Sequence, residues 1–212
     1  MKKLFLLSII AVLGMTTVNA QEVKFGVKAG LNLASITGDE TDNLDGRTSF
    51  HLGAVAEISI SDKFSVQPEL LYSTQGAKYE DSESGSGFSY NEESTIKLDY
   101  INLPIMAKYY VSEGFSIEVG PQIGFLMSAK EDYEYSETID GETFSDSGEE
   151  DIKDSVSGID FGLNLGLGYK LESGLNFGAR YNLGLSNIND FEGSDEFKIQ
   201  NSVIQVSVGY FF

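Results

Sequence analysis

An all-β fold, an eight-stranded antiparallel up-and-down transmembrane β-barrel with short periplasmic turns and long acidic outer loops, is predicted by three features of this sequence. Apolar residues recur with period two through eight separate stretches, which is the repeat of a strand with one apolar face. The connections between those stretches alternate between short and long. The chain opens on a basic, then apolar segment of the export type and closes on an alternating strand that ends in an aromatic residue.

The opening segment carries Met1, Lys2 and Lys3 before an apolar run over 4–14, and Val18, Asn19 and Ala20 stand where a signal peptidase reads. Residues 1–20 are therefore expected to be a cleaved signal peptide, leaving 21–212 as one barrel domain. The apolar run is too short to span a bilayer as a helix. Loss of its two lysines would take the formal net charge from -19 to -21. A chain so acidic repels phosphate, so no nucleic-acid partner is expected. Export without any cysteine leaves packing, backbone pairing and the membrane to stabilise the fold.

The eight stretches are 23–34, 48–60, 64–75, 95–110, 115–127, 156–171, 175–185 and 199–212. Each is long enough to cross a membrane as a tilted strand, which takes roughly 9–11 residues. In the first, Val23, Phe25, Val27, Ala29, Leu31 and Leu33 share one face, and Lys24, Gly26, Lys28, Gly30 and Asn32 share the other. A soluble sandwich would show Lys, Glu and Thr on its wetted face. Glycine and asparagine suit the crowded interior of a small barrel, which side chains just fill.

The connections 61–63, 111–114 and 172–174 are tight, and 35–47, 77–94, 128–155 and 186–198 are long. Outer-membrane barrels place short turns in the periplasm and long loops outside. Phe25, Phe64, Tyr109, Phe115, Tyr169, Phe177, Tyr210 and Phe212 cluster near the short-turn ends, as an interfacial girdle would. On the last strand Ile204, Val206, Val208, Tyr210 and Phe212 alternate. Val208, Tyr210 and Phe212 resemble the C-terminal signal read by the barrel-assembly machinery, which is an expected partner along with outer-membrane lipid and lipopolysaccharide.

Two irregularities interrupt the pattern. Ile96, Leu98 and Tyr100 put apolar groups on one face of the fourth stretch, whereas Ile101, Leu103, Ile105, Ala107 and Tyr109 put them on the other. This predicts a change of parity at a β-bulge near 99–102. Pro68, Pro104 and Pro121 fall in three consecutive strands and predict bulges or a locally opened ladder.

Five segments resemble the PorT-like outer-membrane β-barrel family of Bacteroidetes: 26–34 (GVKAGLNLA), 66–76 (VQPELLYSTQG), 98–110 (LDYINLPIMAKYY), 118–125 (EVGPQIGF) and 162–169 (GLNLGLGY). The resemblance covers essentially all of 21–212. It implies an eight-stranded outer-membrane barrel and accounts for the prolines. It supplies no catalytic motif.

Lys28, Glu57, Glu69, Glu118 and Arg180 fall on the expected lumen face, where charges must be paired. They predict a network that plugs the lumen, with acids in excess and one glutamate protonated or solvated. His51, the single histidine, also falls on this face. A hydrolase would need a positioned nucleophile and acid beside it, and no motif provides them, so no enzyme, cofactor or resident metal is expected. Asp140-Gly141 and the 79–90 segment predict two hairpins that extend the sheet above the membrane. An extracellular protein partner is expected at loops 77–94 and 128–155. The acidic run 146–151 lacks EF-hand spacing and would hold Ca²⁺ only weakly.

The sequence therefore predicts an outer-membrane barrel with a plugged polar lumen and a structural or surface-interaction role. The alternatives are a narrow porin-like channel, a component of a secretion complex, a membrane enzyme, or a soluble barrel binding a ligand inside.

Overall fold

A computed structural model describes residues 22–190 and 197–212. The segment expected to be a signal peptide, 1–20, and part of the last long connection lie outside them. The strands are β1 (Val23–Gly38), β2 (Leu44–Ser61), β3 (Phe64–Gly85), β4 (Phe88–Tyr110), β5 (Phe115–Ile139), β6 (Glu142–Asp151), β7 (Ile159–Lys170), β8 (Leu175–Gly184) and β9 (Ile199–Phe211). Every pairing is antiparallel, and β9 closes on β1 through Gly26↔Phe211 to Gly38↔Ile199. Among the described residues eight strands thus form a ring, and β6 stands outside it, paired with the upper half of β5 alone.

Closure puts one face of every strand outward. Leu31, Phe161, Leu165 and Val206 are each about half exposed or more, at 61%, 51%, 52% and 59%. Water would not tolerate an apolar surface that encircles the molecule, and a bilayer requires one. The aromatic set lies at the short-turn end of this belt: Phe25, Tyr109, Tyr169, Phe177, Tyr210 and Phe212 all point out. Glycines on the inward face let neighbouring strands approach. At Gly53 a Cβ would stand 2.0 Å from the Leu70 carbonyl oxygen.

The tight turns occupy 62–63, 111–114 and 171–174. The opposite ends are less loop-like than the sequence suggests. β1 and β2 continue until only 39–43 separates them, and β3 and β4 run up to a two-residue turn at Ser86 and Gly87. Asp140 and Gly141 both adopt positive φ, 51° and 88°, the turn whose twist matches a two-residue hairpin. Both predicted hairpins form, and β3, β4, β5 and β6 together make a sheet that projects beyond the ring. With ten residues in β6, it rises roughly 30 Å at about 3.3 Å per residue.

The parity prediction for β4 requires correction. Ser94, Leu98, Tyr100, Asn102, Met106 and Lys108 all face inward, so β4 keeps its period throughout. The bulge lies on its partner. Asp99 pairs with Ser128 and Tyr100 with Leu126, so Met127 is the extra residue and β5 changes face there. The apparent break in β4 is chemical: apolar residues face inward above Tyr100 because the lumen is apolar at that level.

The prolines open the ladder without shifting its register. Pairing lapses between Val55↔Glu69 and Ile58↔Val66, beside Pro68. It lapses again between Pro68↔Ile105 and Leu71↔Asn102, beside Pro104. A third gap falls between Pro104↔Gln122 and Ala107↔Val119, beside Pro121. Each proline lacks the N–H its preceding strand would accept, so the three gaps step diagonally across β3, β4 and β5.

Candidate functional site

Inward-facing residues of the ring fill the lumen in three layers. At the short-turn end lies a chain of alternating charges. Lys170 Nζ is 2.7 Å from Glu57 Oε1, and Lys108 Nζ is 3.7 Å from Glu57 Oε2 and 3.1 Å from Glu118. Arg180 lies 3.5 Å from Glu118 and grips Glu69 with both guanidinium nitrogens, at 3.0 and 2.8 Å. Lys28 completes the series 3.2 Å from Glu69. Gln67 and Tyr110 donate to Glu69 and Glu57, each at 2.7 Å. Glu69, with both carboxylate oxygens bonded inside the barrel, is held in one geometry.

All five predicted lumen residues, Lys28, Glu57, Glu69, Glu118 and Arg180, belong to this one network. The expected excess of acid does not hold. Lys108 and Lys170 join it, so four cations meet three carboxylates, and each glutamate has a cationic neighbour. Lys108 was legible in principle, since it has the parity opposite to Ile105, Ala107 and Tyr109; the supposed parity change concealed it. Lys170 shares the parity of Asp160 and Asn164 but sits at the strand end. Both ammonium groups also lie over aromatic rings, Lys170 5.1 Å from the Tyr110 centroid and Lys108 6.0 Å from that of Phe211.

The middle layer is uncharged and amide-rich. Asn32 donates to the Thr74 carbonyl at 2.8 Å, Gln205 donates to Asn32 Oδ1 at 3.0 Å, and Asn182 donates to Asn164 at 3.1 Å. His51 is buried here with Nδ1 2.7 Å from Asn32 Oδ1. Its Nε2 meets no hydrogen-bond partner among the described residues, so no nucleophile or acid is aligned on it. Above it Asp160, which sequence reasoning did not single out, accepts from Asn201 at 2.9 Å and Ser186 at 2.7 Å.

An apolar layer caps the far end. Ile36, Ala77, Leu98, Tyr100, Leu126, Ala129 and Ile188 pack together, with Leu44, Ile152 and Val156 against them. Ile188 comes from the last long connection, so a loop residue completes the seal. Beside Lys28, Gln67, Lys108 and Glu118 lies a void of about 20 Å³, room for roughly one water. A larger cavity of about 650 Å³ opens at the short-turn end and stops at Glu57, Tyr110 and Lys170.

The protruding sheet is built differently. Antiparallel partners share a face, so the pairings define its rows. On the face continuing the lumen side, Asp81, Glu92, Tyr135 and Asp146 form one row, and Glu83, Tyr90, Glu137 and Phe144 the next. Glu131 lies beside Glu150, and Ile139 beside Glu142. Lys78, Lys97 and Lys130 all fall on the outer face, where Lys97 pairs with Asp132 and Lys130 with Glu149. Among the described residues no cation shares the inner face. Tyr90 donates to Glu92 and Tyr135 to Glu137, the latter at 3.0 Å. Those bonds hold both phenols above their ordinary pKa. The run from Asp146 to Asp151 lies along β6 with alternate side chains on opposite faces. Its carboxylates do not converge, and no metal-binding group of three occurs among the described residues.

Val208, Tyr210 and Phe212 all face outward on the last strand. The Tyr210 and Phe212 rings stack edge-on at 5.7 Å, and Phe212 N–H donates to the Phe25 carbonyl at 2.9 Å.

Residues 19–190 match the family described as outer membrane protein beta-barrel domain. Among solved structures the chain is similar to Neisserial surface protein A, with a TM-score of 0.50 and 13% identity over 90% of this chain and 99% of that one. It is also similar to Ail, the attachment invasion locus protein of Yersinia pestis, with a TM-score of 0.44 and 13% identity over 90% of this chain and 99% of that one. No curated protein matches the chain. Likeness at such identity speaks for the fold alone; the family match, with the apolar belt and the closed ring, assigns the place. The chain belongs to the outer-membrane β-barrel domain family and is a small barrel of the outer membrane.

Proposed function

We propose that this protein is a closed barrel that anchors a protruding sheet at the cell surface, where the sheet engages an extracellular protein. The observation that carries this reading is the contrast between a filled lumen and an unsatisfied sheet. Charge chain, amide layer and apolar cap block the ring at three levels. The sheet ends on β6, a strand whose second edge has no partner among the described residues. Loops 77–94 and 128–155, expected to meet a partner, are the two hairpins of this sheet.

The resemblance to the PorT-like family of Bacteroidetes supports an outer-membrane role for the whole of 21–212. Val208, Tyr210 and Phe212, all on the outward face of the closing strand, are the residues we assign to recognition by the barrel-assembly machinery. The apolar belt supports lipid as the solvent of the ring, and we assign lipopolysaccharide to the base of the sheet.

Planar-bilayer recording tests the closed-barrel reading. The folded protein is expected to give no steady conductance above the bare membrane. Reproducible single-channel steps from the unmodified protein would overturn it in favour of a narrow conduit.

A further inference from the structure

We infer that the free edge of β6 takes an extended, arginine-bearing protein segment as a fifth strand of the protruding sheet. This rests on the reading of the sheet as the interacting part and adds the chemistry of the partner.

The argument starts from the hairpin. A two-residue turn makes Ile139 and Glu142 a hydrogen-bonded pair, and bonded pairs then recur at every second residue. The backbone groups of Thr143, Ser145, Ser147 and Glu149 therefore point away from β5, along the free edge. Consistent with this, the Ser147 N–H meets the Asp146 side chain at 3.0 Å. Strands at sheet edges usually carry lysine, proline or a bulge that discourages pairing. β6 has no lysine or proline, and its ten residues pair with β5 without a register shift.

Charge decides what can pair there. β6 carries Glu142, Asp146, Glu149, Glu150 and Asp151 and no base. A second copy would align acid against acid, which destabilises a cross-strand pair. A basic strand would place alternate side chains beside Glu142, Phe144, Asp146 and Glu150. Phe144 is 60% exposed between two acids. Arginine matches that pattern better than lysine, because its planar guanidinium stacks on a ring while its fork reaches carboxylates. Beside that edge the inner face also juxtaposes Glu131 with Glu150, directly opposite and without a cation. A bound cationic strand would relieve that repulsion.

The probe is a capped eight-residue peptide alternating Arg and Thr, labelled with a fluorophore and titrated by anisotropy against the folded barrel in nonionic detergent. Saturable binding is expected. E142Q/D146N should weaken it at least about tenfold, since two charge-assisted contacts are lost. S145P should weaken it comparably by removing an outward N–H, and S147P repeats that test where S145P disturbs the hairpin, as judged by heat-modifiable gel mobility. E80Q/E134Q removes as much charge from the outer face and should change binding less than about twofold. A peptide of equal composition with its arginines in one block should bind more weakly. The inference is overturned if E80Q/E134Q weakens binding as much as E142Q/D146N, if both proline variants bind normally, or if the block peptide binds equally. Absent peptide binding with a silent bilayer would reject the partner chemistry and leave the closed barrel standing; a conducting bilayer would reject the closed barrel itself.

Discussion

Glu69 and Glu92 stand on adjacent strands, β3 and β4, and both side chains lie on the face that looks into the barrel or continues it. Glu69 is wholly buried, held by Arg180, Lys28 and Gln67. Glu92 has a phenol for company and lies opposite Asp81, with no ion pair among the described residues. The difference follows from the solvent. Inside the ring a charge has little water to fall back on, so Glu57, Glu69 and Glu118 each have a cation and Asp160 has two hydrogen bonds. Above the ring water solvates unmatched acids, which occur on both faces of the sheet, but all three of its lysines lie on the outer face. Pairing in the lumen is a condition of folding, whereas its absence on the sheet leaves room for a partner.

The largest break in that comparison is Glu69→Ala. It strands Lys28 and leaves Arg180 with Glu118 alone in a filled lumen, and removing one partner of a buried pair costs about 3–5 kcal/mol. Urea unfolding of vesicle-embedded protein should show the loss. The double variant E69A/R180A should recover part of it, because the guanidinium that lost its bidentate partner goes too. A loss below about 1 kcal/mol would mean that the charge chain is wetter than its packing indicates.

Leu98→Ala tests the cap. It removes a buried side chain packed with Tyr100, Leu126 and Ile188 and should cost about 2–5 kcal/mol. Bilayers should nonetheless stay silent, because the amide and charge layers lie beneath. Conductance in this variant alone would make the cap the sole barrier.

How much of this contrast was readable in the sequence depends on what period two can encode. It identified all eight ring strands, both hairpin turns and the five lumen charges, because a closed barrel obeys alternation along its whole length. It failed where the lumen changes chemistry. Leu98 and Tyr100 face inward like Lys108, but apolar residues on an inner face look like a change of face when the layer they build is unknown. The change of texture within β4 predicts a bulge there, whereas Met127 on β5 carries it. Lys108 was lost to that error. The continuity of β6 with β5 was partly legible from Asp140-Gly141, but the absence of cations from one face emerges only when the registers of four strands are combined.

Gly76 marks the level at which β3 passes from ring to sheet, and Gly76→Ala probes that junction. Its φ of 122° and a would-be Cβ 2.0 Å from the Ile96 carbonyl oxygen leave no place for a side chain. A penalty of about 1–3 kcal/mol is expected. Hydrogen exchange should show its protection loss concentrated at the start of the projecting hairpin, with the ring amides nearest the turns unaffected.

The smallest expected effect is also the most diagnostic of the unmatched sheet. Glu92→Gln removes one of two acids placed directly opposite each other, so the Asp81 repulsion falls and the hairpin gains about 0.2–1 kcal/mol at low salt, fading as salt screens the pair. The same substitution removes the carboxylate that accepts from Tyr90, the main reason that phenol is held up. Its ionisation should then move down toward the ordinary tyrosine range, read as tyrosinate absorbance in an alkaline titration. The sign is fixed: a raised phenol pKa contributes stability that is present below the unfolded value and lost as pH rises through the folded one. The native hairpin should therefore weaken on the alkaline side, and the variant should lose that dependence. A stabilised hairpin with a lowered phenol pKa would establish that the sheet tolerates unrelieved repulsion in isolation. A clearly destabilised one would mean that the Tyr90 bond outweighs the repulsion and that this row is already satisfied without a partner.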